Sequence, residues 1–542
     1  MKQKGAVEQR ICLNPLSALE NFKKALRAKI YVDKSGMLSY LNGVANTTDG
    51  FVCVSRPRRF GKTWAVTMAA SYYSKEFKTR NLFKGLRVSD DPSFDEHLNE
   101  YNVIYLNIQD FLSVPGVNGM VRVKGAQEMV ANIINAIFND LKKAFPVPDL
   151  VDEGDLVKTL YNIKLSAGTD FVFLIDEWDC IFRVLKNDIE GQKTYLDFLR
   201  HLFKDRSYVC LAYMTGILPI KKYGTHSALN MFNEFSMSDP ANLAEFAGFT
   251  ESEAKGLFER AGMSFEQARE WYDGYVFDGL HIYSPLSVVR SVTRKSFKNY
   301  WNQTETHDEL KMPISLNFDG LKDSVLKLLS DVPVMVNVEK FQNDMSSFSS
   351  ADDVLTLLVH LGYLAFDSRK SEAAIPNREL RAEFKNALED ANWAGVSKLL
   401  QASNQLLRDT WALNPSKIEN AIQEAHNDHS SVLKYNDENS LCSVISIAYY
   451  AAYEYYIVLR ELASGKGYID LLYLPKPMHF DKPALLVELK SDKTAKGAIE
   501  QIKEKNYTEK IQQYTGDIIL VGINYDKETK THSCAIEKYS KW

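Results

Sequence analysis

Several features that would place the chain in a specialised class are missing. Its 542 residues include only six cysteines, which lie far apart and form no CxxC pair. We therefore expect a reducing compartment, without a disulfide framework or a structural zinc site. The first residues contain no apolar stretch typical of a signal peptide, and no apolar run approaches the roughly 18 residues of a membrane span. These absences predict a cytoplasmic protein that does not use a membrane.

An excess of basic charge is also lacking. With 65 basic and 70 acidic residues the net charge is −5, so no overall positive field is present to attract nucleic acid. Any contact with nucleic acid must then come from a local patch. Hydrophobic residues make up 45% of the chain and charged residues 25%, which is ordinary for a globular protein and argues against long disordered stretches. A chain of this length is expected to form several domains.

Strand-like and helix-like patterns divide the chain into three regions. In residues 1–235, short runs that are apolar on both faces alternate with stretches long enough for crossover helices; the runs are 51–56, 102–108, 171–176 and 208–216. This alternation predicts a doubly wound α/β fold with a parallel sheet. Residues 236–430 are mainly helical in pattern, and we predict a lid or connector there. In residues 431–542 a helix precedes three strand-like runs, which predicts a second α/β domain.

The segment after the first predicted strand has the composition of a phosphate-binding loop. Gly61, Lys62 and Thr63 form the second half of the pattern GxxxxGK[ST], while Arg56 stands where the first glycine is expected. Such a loop wraps backbone N–H groups around a phosphate; its lysine reaches the terminal phosphates and its Ser/Thr hydroxyl binds magnesium. The alternative is an ordinary helix cap, since GKT tripeptides also occur there.

The predicted strand 171–176 ends in two carboxylates, Asp176 and Glu177. In a nucleotide site of this kind, Asp176 would hold the magnesium shell and Glu177 would polarise the attacking water. An acidic pair at the end of a buried strand is the alternative. Because the loop and the acidic pair occur in order, at strand ends of one α/β segment, together they predict a site for ATP and Mg²⁺.

Other polar residues of this region each have two interpretations. Thr215, at the end of the strand 208–216, would contact the γ-phosphate or stabilise a turn. Arg56, Arg58 and Arg59 would clamp phosphates by bidentate hydrogen bonds or bind an acidic partner segment. Arg183 would be a further arginine for the phosphates, although we favour its interpretation as a solvated charge on a helix.

The last region contains a second set of candidate residues, arranged as a carboxylate on one strand and an ExK pattern on the next. Asp470 lies in the first strand, and Glu488 and Lys490, two residues apart, project from the same face of the second. Phosphodiester hydrolysis needs carboxylates that hold hard divalent cations and a lysine that orients the water. Gln501 on the following helix would support the site, and Glu438 on the preceding helix would be a further metal ligand. A solvated strand edge with an ion pair is the alternative.

A local concentration of lysines surrounds this second set of residues. The lysines are at positions 490, 493, 496, 503 and 505. They would make salt-sensitive contacts with a phosphate backbone, or they belong to a solvated helix whose charge is balanced by nearby glutamates.

Several motifs carry a resemblance that covers nearly the whole chain. SRPRRFGKTWAVTM, FLIDEWDCIF, MTGILPIKKYG and EWYDGYVF resemble the bacterial AAA-ATPase-like family, often joined to a C-terminal PD-(D/E)XK nuclease-like domain. The family also has arginine at the position of Arg56. The resemblance implies a P-loop fold of the additional-strand type, with ATP at Lys62 and Thr63 and a Walker B pair at Asp176 and Glu177. The block 272–275 is interpreted as a turn with packing aromatics.

Two functions remain open at this point. The first is an ATP-regulated nuclease that acts on DNA or RNA with Mg²⁺, or with Mn²⁺ at the nuclease-like site. The second is a nucleotide-binding signalling or scaffold protein whose nuclease-like domain binds a partner or nucleic acid without cleavage. The oligomeric state stays open, with a homo-oligomer among the alternatives.

Overall fold

The computed structural model describes most of the chain and divides it into two compact units. The described residues are 10–116, 119–147, 150–223, 226–301, 308–316, 318, 320–343, 345, 348–390, 394–427, 438–464, 467–505, 514 and 516–539. The first unit comprises residues 1–304 and 335–380, and the second comprises residues 305–334 and 381–542. Among the described residues no helix is long and apolar enough to cross a membrane.

Helices and strands alternate through most of the chain. The helices are α1 (Leu16–Leu26), α2 (Gly36–Val44), α3 (Lys62–Tyr73), α4 (Arg80–Phe83), α5 (Phe94–His97), α6 (Ala126–Ala144), α7 (Leu156–Ala167), α8 (Cys180–Val184), α9 (Ile189–Phe203), α10 (Glu251–Arg260), α11 (Phe265–Tyr272), α12 (Pro285–Arg294), α13 (Asp308–Ser315), α14 (Leu321–Leu329), α15 (Ala351–Leu361), α16 (Arg378–Asp390), α17 (Ala394–Trp411), α18 (Pro415–Asn427), α19 (Glu438–Ala448), α20 (Ala452–Tyr455) and α21 (Ala495–Glu504). The strands are β1 (Phe51–Ser55), β2 (Asn102–Asn107), β3 (Ser113–Gly116), β4 (Gly119–Arg122), β5 (Phe171–Asp176), β6 (Val209–Gly216), β7 (Lys222–Tyr223), β8 (His226–Ser227), β9 (Asn233–Phe235), β10 (Phe249–Thr250), β11 (Tyr275–Phe277), β12 (Leu280–Tyr283), β13 (Val334–Met335), β14 (Ala365–Asp367), β15 (Glu372–Ala374), β16 (Tyr456–Ser464), β17 (Gly467–Pro475), β18 (Ala484–Ser491), β19 (Ile518–Asp526) and β20 (Thr531–Tyr539).

The first unit is built around a five-stranded sheet in the order β2-β5-β6-β1-β9. All its neighbouring strands pair in parallel, which confirms the predicted parallel α/β fold. One strand, β6, lies between β1 and β5, so the strand that precedes the phosphate loop and the strand that ends in Asp176 are not neighbours. That inserted strand is the additional-strand arrangement that the family resemblance implies.

The central strands of this sheet are apolar on both faces because helices cover both. Every residue of β5 is buried. Phe173 and Ile175 pack into one core with α6, α7 and α9, while Val172 and Leu174 pack on the opposite face with α1, α2 and α3. Alternate residues of one strand therefore supply two separate cores.

The rest of the first unit is not purely helical. After the central sheet, α10, α11 and α12 pack with a small antiparallel sheet in the order β10-β12-β11. Farther along, the hairpin β14–β15 follows α15. The boundaries predicted near residues 235 and 430 stay a prediction.

The second unit contains a five-stranded mixed sheet in the order β16-β17-β18-β19-β20. Only β18 and β19 pair in parallel; the other neighbours are antiparallel. A parallel pair needs a crossover, and α21 provides it. Its Ile499 and Ile502 pack on Leu486 of β18 and Leu520 of β19. The predicted second α/β domain is thus confirmed.

Candidate functional site

The phosphate loop connects the end of β1 to the start of α3. Two of its residues have left-handed backbone conformations, Arg59 with φ 68° and Gly61 with φ 89°. An added Cβ at Gly61 would meet nothing within 4 Å, so the glycine is needed for its backbone angle and not for space. This conformation starts α3 directly after the loop, and the first N–H groups of α3 have no partner within their own helix.

The side chain of Lys62 extends back into the phosphate loop that precedes it. Its Nζ donates hydrogen bonds to the carbonyl oxygens of Arg56, at 3.0 Å, and Pro57, at 2.9 Å. Burial lowers the pKa of Lys62, and the negative charges of Glu177 and Asp176 oppose that change. The ammonium therefore contacts the loop carbonyls and is influenced by the nearby carboxylates, and phosphate oxygens would replace the carbonyls as its partners.

The three arginines of the loop differ in burial. The Arg56 side chain is only 1% exposed, and its Nη1 donates to the carbonyl oxygens of Ser55 and Phe235, both at 2.8 Å. Burial lowers the pKa of Arg56 to about 10. Through Nη1 the guanidinium connects the end of β1 to the end of β9, whereas Nε and Nη2 are buried without a hydrogen-bond partner, so the expectation that Arg56 clamps phosphates stays a prediction. Arg58 is half-buried and Arg59 is exposed, and their predicted role stays a prediction.

Two buried oxygens without a hydrogen-bond partner lie at the ends of neighbouring strands. Asp176 pairs in register with Thr215 across β5 and β6, and neither Asp176 Oδ2 nor Thr215 Oγ1 has a partner. Burial raises the pKa of Asp176 to about 6, and the Thr63 hydroxyl opposes the rise. Because buried polar atoms are nearly always paired in folded proteins, these two oxygens are positioned for a ligand.

Glu177 follows Asp176 in a left-handed conformation, with φ 52°. Its Oε2 accepts a hydrogen bond from Arg183 Nη2 at 2.5 Å, and Arg183 Nε lies 3.3 Å from Asp179 Oδ2. The interpretation of Arg183 as a solvated charge is wrong, since its side chain is only 11% exposed. Asp179, which contacts Arg183, was not among the predicted site residues. A carboxylate between two residues of types that are usually buried, Trp178 and Cys180, could have indicated it from the sequence.

In the second unit, Glu488 and Lys490 project from the same face of β18 and form a buried ion pair. Lys490 Nζ lies 2.8 Å from Glu488 Oε1, with side-chain exposures of 9% and 2%. Gln501 Nε2 of α21 donates to the same oxygen. Glu488 Oε2 is buried and has no partner. The alternative of a solvated strand edge is therefore wrong for this pair.

Asp470 lies on the neighbouring strand β17 and is connected to this ion pair by a hydrogen bond from the backbone between its two residues. Its Oδ2 accepts a hydrogen bond from the N–H of Leu489 at 2.7 Å. Burial raises the pKa of Glu488 to about 7, and the negative charge of Asp470 adds to the rise while Lys490 opposes it. Asp470, Glu488, Lys490 and Gln501 are thus brought together as predicted. Glu438 is the first residue of α19, but its side chain lies outside the described residues.

The lysines around this site are not equivalent. Lys505 is near enough to Glu488 to lower its pKa, whereas Lys503 forms an ion pair with Glu537 at 2.5 Å. Lys493 and Lys496 are exposed. The interpretation as a balanced, solvated helix therefore applies to Lys503, and the positive charge facing the site comes mainly from Lys490 and Lys505.

The block 272–275 forms the predicted turn with packing aromatics. Tyr272 ends α11 and Tyr275 begins β11, and both rings are buried. The Asp273 carboxylate lies 2.9 Å from His281 Nδ1, and ligand atoms of these two residues and Glu251 all lie within 4.8 Å of one another. Glu251 is in turn paired with Arg269 at 3.0 Å, so one of the two carboxylates of this cluster already has a cationic partner.

Two known protein families match the regions of the chain that contain these sites. Residues 17–225 match the family model described as a predicted AAA-ATPase, and residues 437–534 match the model of the PD-(D/E)XK nuclease superfamily. The two matches agree with the architecture that the family resemblance implies, an AAA-ATPase-like region followed by a region similar to the PD-(D/E)XK nuclease superfamily. The first match includes the phosphate loop, Asp176 and Thr215, and the second includes Asp470, Glu488 and Gln501.

One relative and one solved structure are among the individual proteins that match this chain. An uncharacterized protein from the vnfD 5′ region of Azotobacter chroococcum mcd 1 is 23% identical over 521 residues, which covers 92% of this chain and 94% of the relative. The solved structure of the Aeropyrum pernix ORC2 protein, in ADPNP–ADP complexes, is 12% identical, with a TM-score of 0.27. That alignment covers 71% of this chain and 96% of the ORC2 chain.

Proposed function

We propose that the first unit binds and hydrolyses ATP with Mg²⁺. The observation that carries this proposal is the pair of unpartnered buried oxygens, Asp176 Oδ2 and Thr215 Oγ1, on adjacent strands of the sheet that also places Lys62 at the start of α3. Ligands of parallel α/β sheets bind outside the carboxyl ends of the strands, and all three residues lie there.

Each residue has a distinct role in this proposal. Lys62 binds the β- and γ-phosphates, Thr63 and Asp176 hold Mg²⁺, and Thr215 contacts the γ-phosphate. Bound Mg²⁺ would supply charge neutralisation of the phosphates. Glu177 orients the attacking water, as its position directly after the metal-binding aspartate suggests.

Two variants test the nucleotide site. Lys62→Ala should lose ATP binding, measured by calorimetric titration, while Glu177→Gln should retain binding and lose turnover. Lys78→Ala removes an equal charge at an exposed position close to the end of α3 and serves as the matched control. Unchanged ATP affinity in Lys62→Ala would contradict the assignment of this loop.

We further propose that the second unit carries a nuclease-type site for nucleic acid that uses Mg²⁺ or Mn²⁺. Hard divalent cations take oxygen ligands, and the buried, unpartnered Glu488 Oε2 beside the charge of Asp470 fits that chemistry. Asp470 and Glu488 would hold the cation, which would act as a Lewis acid on the phosphodiester. Lys490 would orient the water and stabilise the developing phosphate charge, and Gln501 positions Glu488 through its hydrogen bond.

Manganese binding tests this second site without requiring activity. In the absence of nucleotide, electron paramagnetic resonance titration with Mn²⁺ should show a site that Glu488→Gln removes. Glu500→Gln changes the same charge at an exposed position on α21 and should leave the titration unchanged. Equal Mn²⁺ binding by wild type and Glu488→Gln would contradict the assignment.

A further inference from the structure

We propose that Glu251, Asp273 and His281 bind a zinc-type divalent metal ion, with Tyr283 as the partner of a water molecule on that ion. One ligand atom from each of the first three residues lies within 4.8 Å of the other two. The site contains no residue of the nucleotide site or of the nuclease-type site, so it does not depend on either proposed activity.

Strand pairing brings Glu251 and His281 together. Thr250 of β10 is the partner of Ile282 of β12 in an antiparallel pair. In such a pair the next residue of one strand lies beside the preceding residue of the other. Glu251, the first residue of α10, therefore lies beside His281.

Asp273 is held toward His281 from both sides of its own backbone. Its Oδ1 accepts from the N–H of Gly274 at 2.7 Å, and its carbonyl oxygen accepts from Asn377 Nδ2 at 2.8 Å. Gly274 has φ 116°, and an added Cβ there would lie 2.1 Å from the carbonyl oxygen of Pro376. A ligand that is already fixed in place loses little freedom when it binds.

The distances are close to those of a zinc site. Zinc lies 2.0–2.2 Å from nitrogen and oxygen ligands, so ligand atoms of a tetrahedral site are roughly 3.4 Å apart. His281 Nδ1 lies 2.9 Å from Asp273 Oδ2 and 3.9 Å from Glu251 Oε2, on either side of that value. A metal ion would take the place of the proton between Nδ1 and Asp273. An imidazole ligand favours zinc and similar transition metals over magnesium.

Arg269 is compatible with a metal on Glu251. Its Nη2 lies 3.0 Å from Glu251 Oε1 and 3.3 Å from Oε2, and carboxylates that bind metals are themselves commonly hydrogen-bonded. Two carboxylates, one guanidinium and a neutral imidazole leave a net negative charge for the cation. The side chains of Glu251 and His281 are each 34% exposed, which gives an ion access from solvent.

A buried hydroxyl beside this cluster is a second, independent sign of a ligand. Tyr283 is fully buried, and its hydroxyl has no hydrogen-bond partner among the residues that the structure describes. It follows His281 by two residues on β12 and so shares its face of the strand, and the charges of Asp273 and Glu251 act on it. Since buried polar atoms are nearly always paired, the hydroxyl is positioned for a ligand. Three protein ligands leave the fourth position on zinc to water, which would meet it.

Cobalt binding tests the inference, because Co²⁺ occupies zinc sites and absorbs visible light. Full-length protein is treated with EDTA, desalted and titrated with Co²⁺ without nucleotide, with Glu488→Gln present throughout so that the proposed nuclease-type site does not contribute. We expect an absorption band that saturates at about one Co²⁺ per chain and that Zn²⁺, but not excess Mg²⁺, removes. His281→Gln should abolish the band, whereas the control His201→Gln, at an exposed histidine, should leave it unchanged.

Tyr283→Phe separates a role in metal binding from a structural one. It should weaken Co²⁺ affinity roughly ten- to hundredfold without lowering the melting temperature in EDTA, because the lost hydroxyl has no partner in the metal-free protein. Glu251→Gln replaces His281→Gln if the latter melts at a lower temperature in EDTA. Absence of the band, a band that His281→Gln or its replacement leaves intact, or unchanged affinity in Tyr283→Phe would overturn the inference and leave a network of ion pairs.

Discussion

At pH 8 and without metal, the second unit of Glu488→Gln should be more stable than that of wild type. The same variant should lose the metal site. The pKa of Glu488 is raised from 4.5 to about 7, mainly by burial and then by the charge of Asp470. The folded state therefore binds more protons than the unfolded state between these values, and stability falls as the pH rises from about 4.5 through about 7. This pKa difference corresponds to about 3 kcal/mol.

Glutamine keeps an oxygen for Lys490 and Gln501 but has no charge to bury, so its stability should not depend on pH in this window. Urea unfolding in EDTA, followed by circular dichroism at pH 5 and pH 8, would measure the difference. Between pH 5 and pH 8, the free energy of unfolding of Glu488→Gln relative to wild type should rise by about 2 to 3 kcal/mol. Added Mn²⁺ should recover the lost stability in wild type only.

The exposed residue Glu500 provides the matched control, because Glu500→Gln changes the same charge on the helix that covers the site. It should show no pH-dependent gain. The reasoning is refuted if the difference between Glu488→Gln and wild type is the same at both pH values, or if Glu500→Gln shows the same gain.

Three further predictions concern single residues. Gly216→Ala should lower the free energy of unfolding by at least about 2 kcal/mol, because the new Cβ would lie 2.4 Å from an Asp179 oxygen. As a control, an added Cβ at Gly43 would meet nothing within 4 Å, so Gly43→Ala should leave the melting temperature unchanged or raise it. Thr215→Val removes a buried hydroxyl without a partner, so it should stabilise the nucleotide-free protein by about 1 kcal/mol while lowering ATP turnover; lower stability would contradict this. Lys490→Ala leaves Glu488 buried without its cation and should cost about 3 kcal/mol at pH 8, with a smaller loss at pH 5 where Glu488 is protonated; an equal loss at both would count against it.

The strands of the first sheet could be predicted from the sequence because helices cover both faces. Runs at 102–108 and 171–176 are mainly apolar on both faces, and the structure has β2 and β5 there, within a residue at each end. The strand β9 was missed because it has three residues, two of them polar. The order of the strands depends on which distant segments pair, and local patterns carry no information about that. The position of β6 between β1 and β5 was implied only by the family resemblance.

In the candidate sites, too, features set by neighbouring residues could be predicted from the sequence, whereas features set by distant residues could not. The i, i+2 spacing of Glu488 and Lys490 fixes their common face, and the structure confirms it. The environment of Arg56 could not be predicted, because one of its two carbonyl partners is Phe235, 179 residues away. Arg183 was misjudged because its burial depends on Asp179, which is held by the backbone after β6.

The most direct test of the account is cleavage of nucleic acid by the purified full-length protein. Single- and double-stranded DNA and RNA would be incubated with Mg²⁺ or Mn²⁺, with and without ATP, and the products separated by gel electrophoresis. The account predicts cleavage by wild type that Lys490→Ala abolishes and that ATP changes in wild type but not in Lys62→Ala. Absence of cleavage of every substrate under all these conditions, or equal cleavage by wild type and Lys490→Ala, would contradict it and favour a protein that binds without cutting.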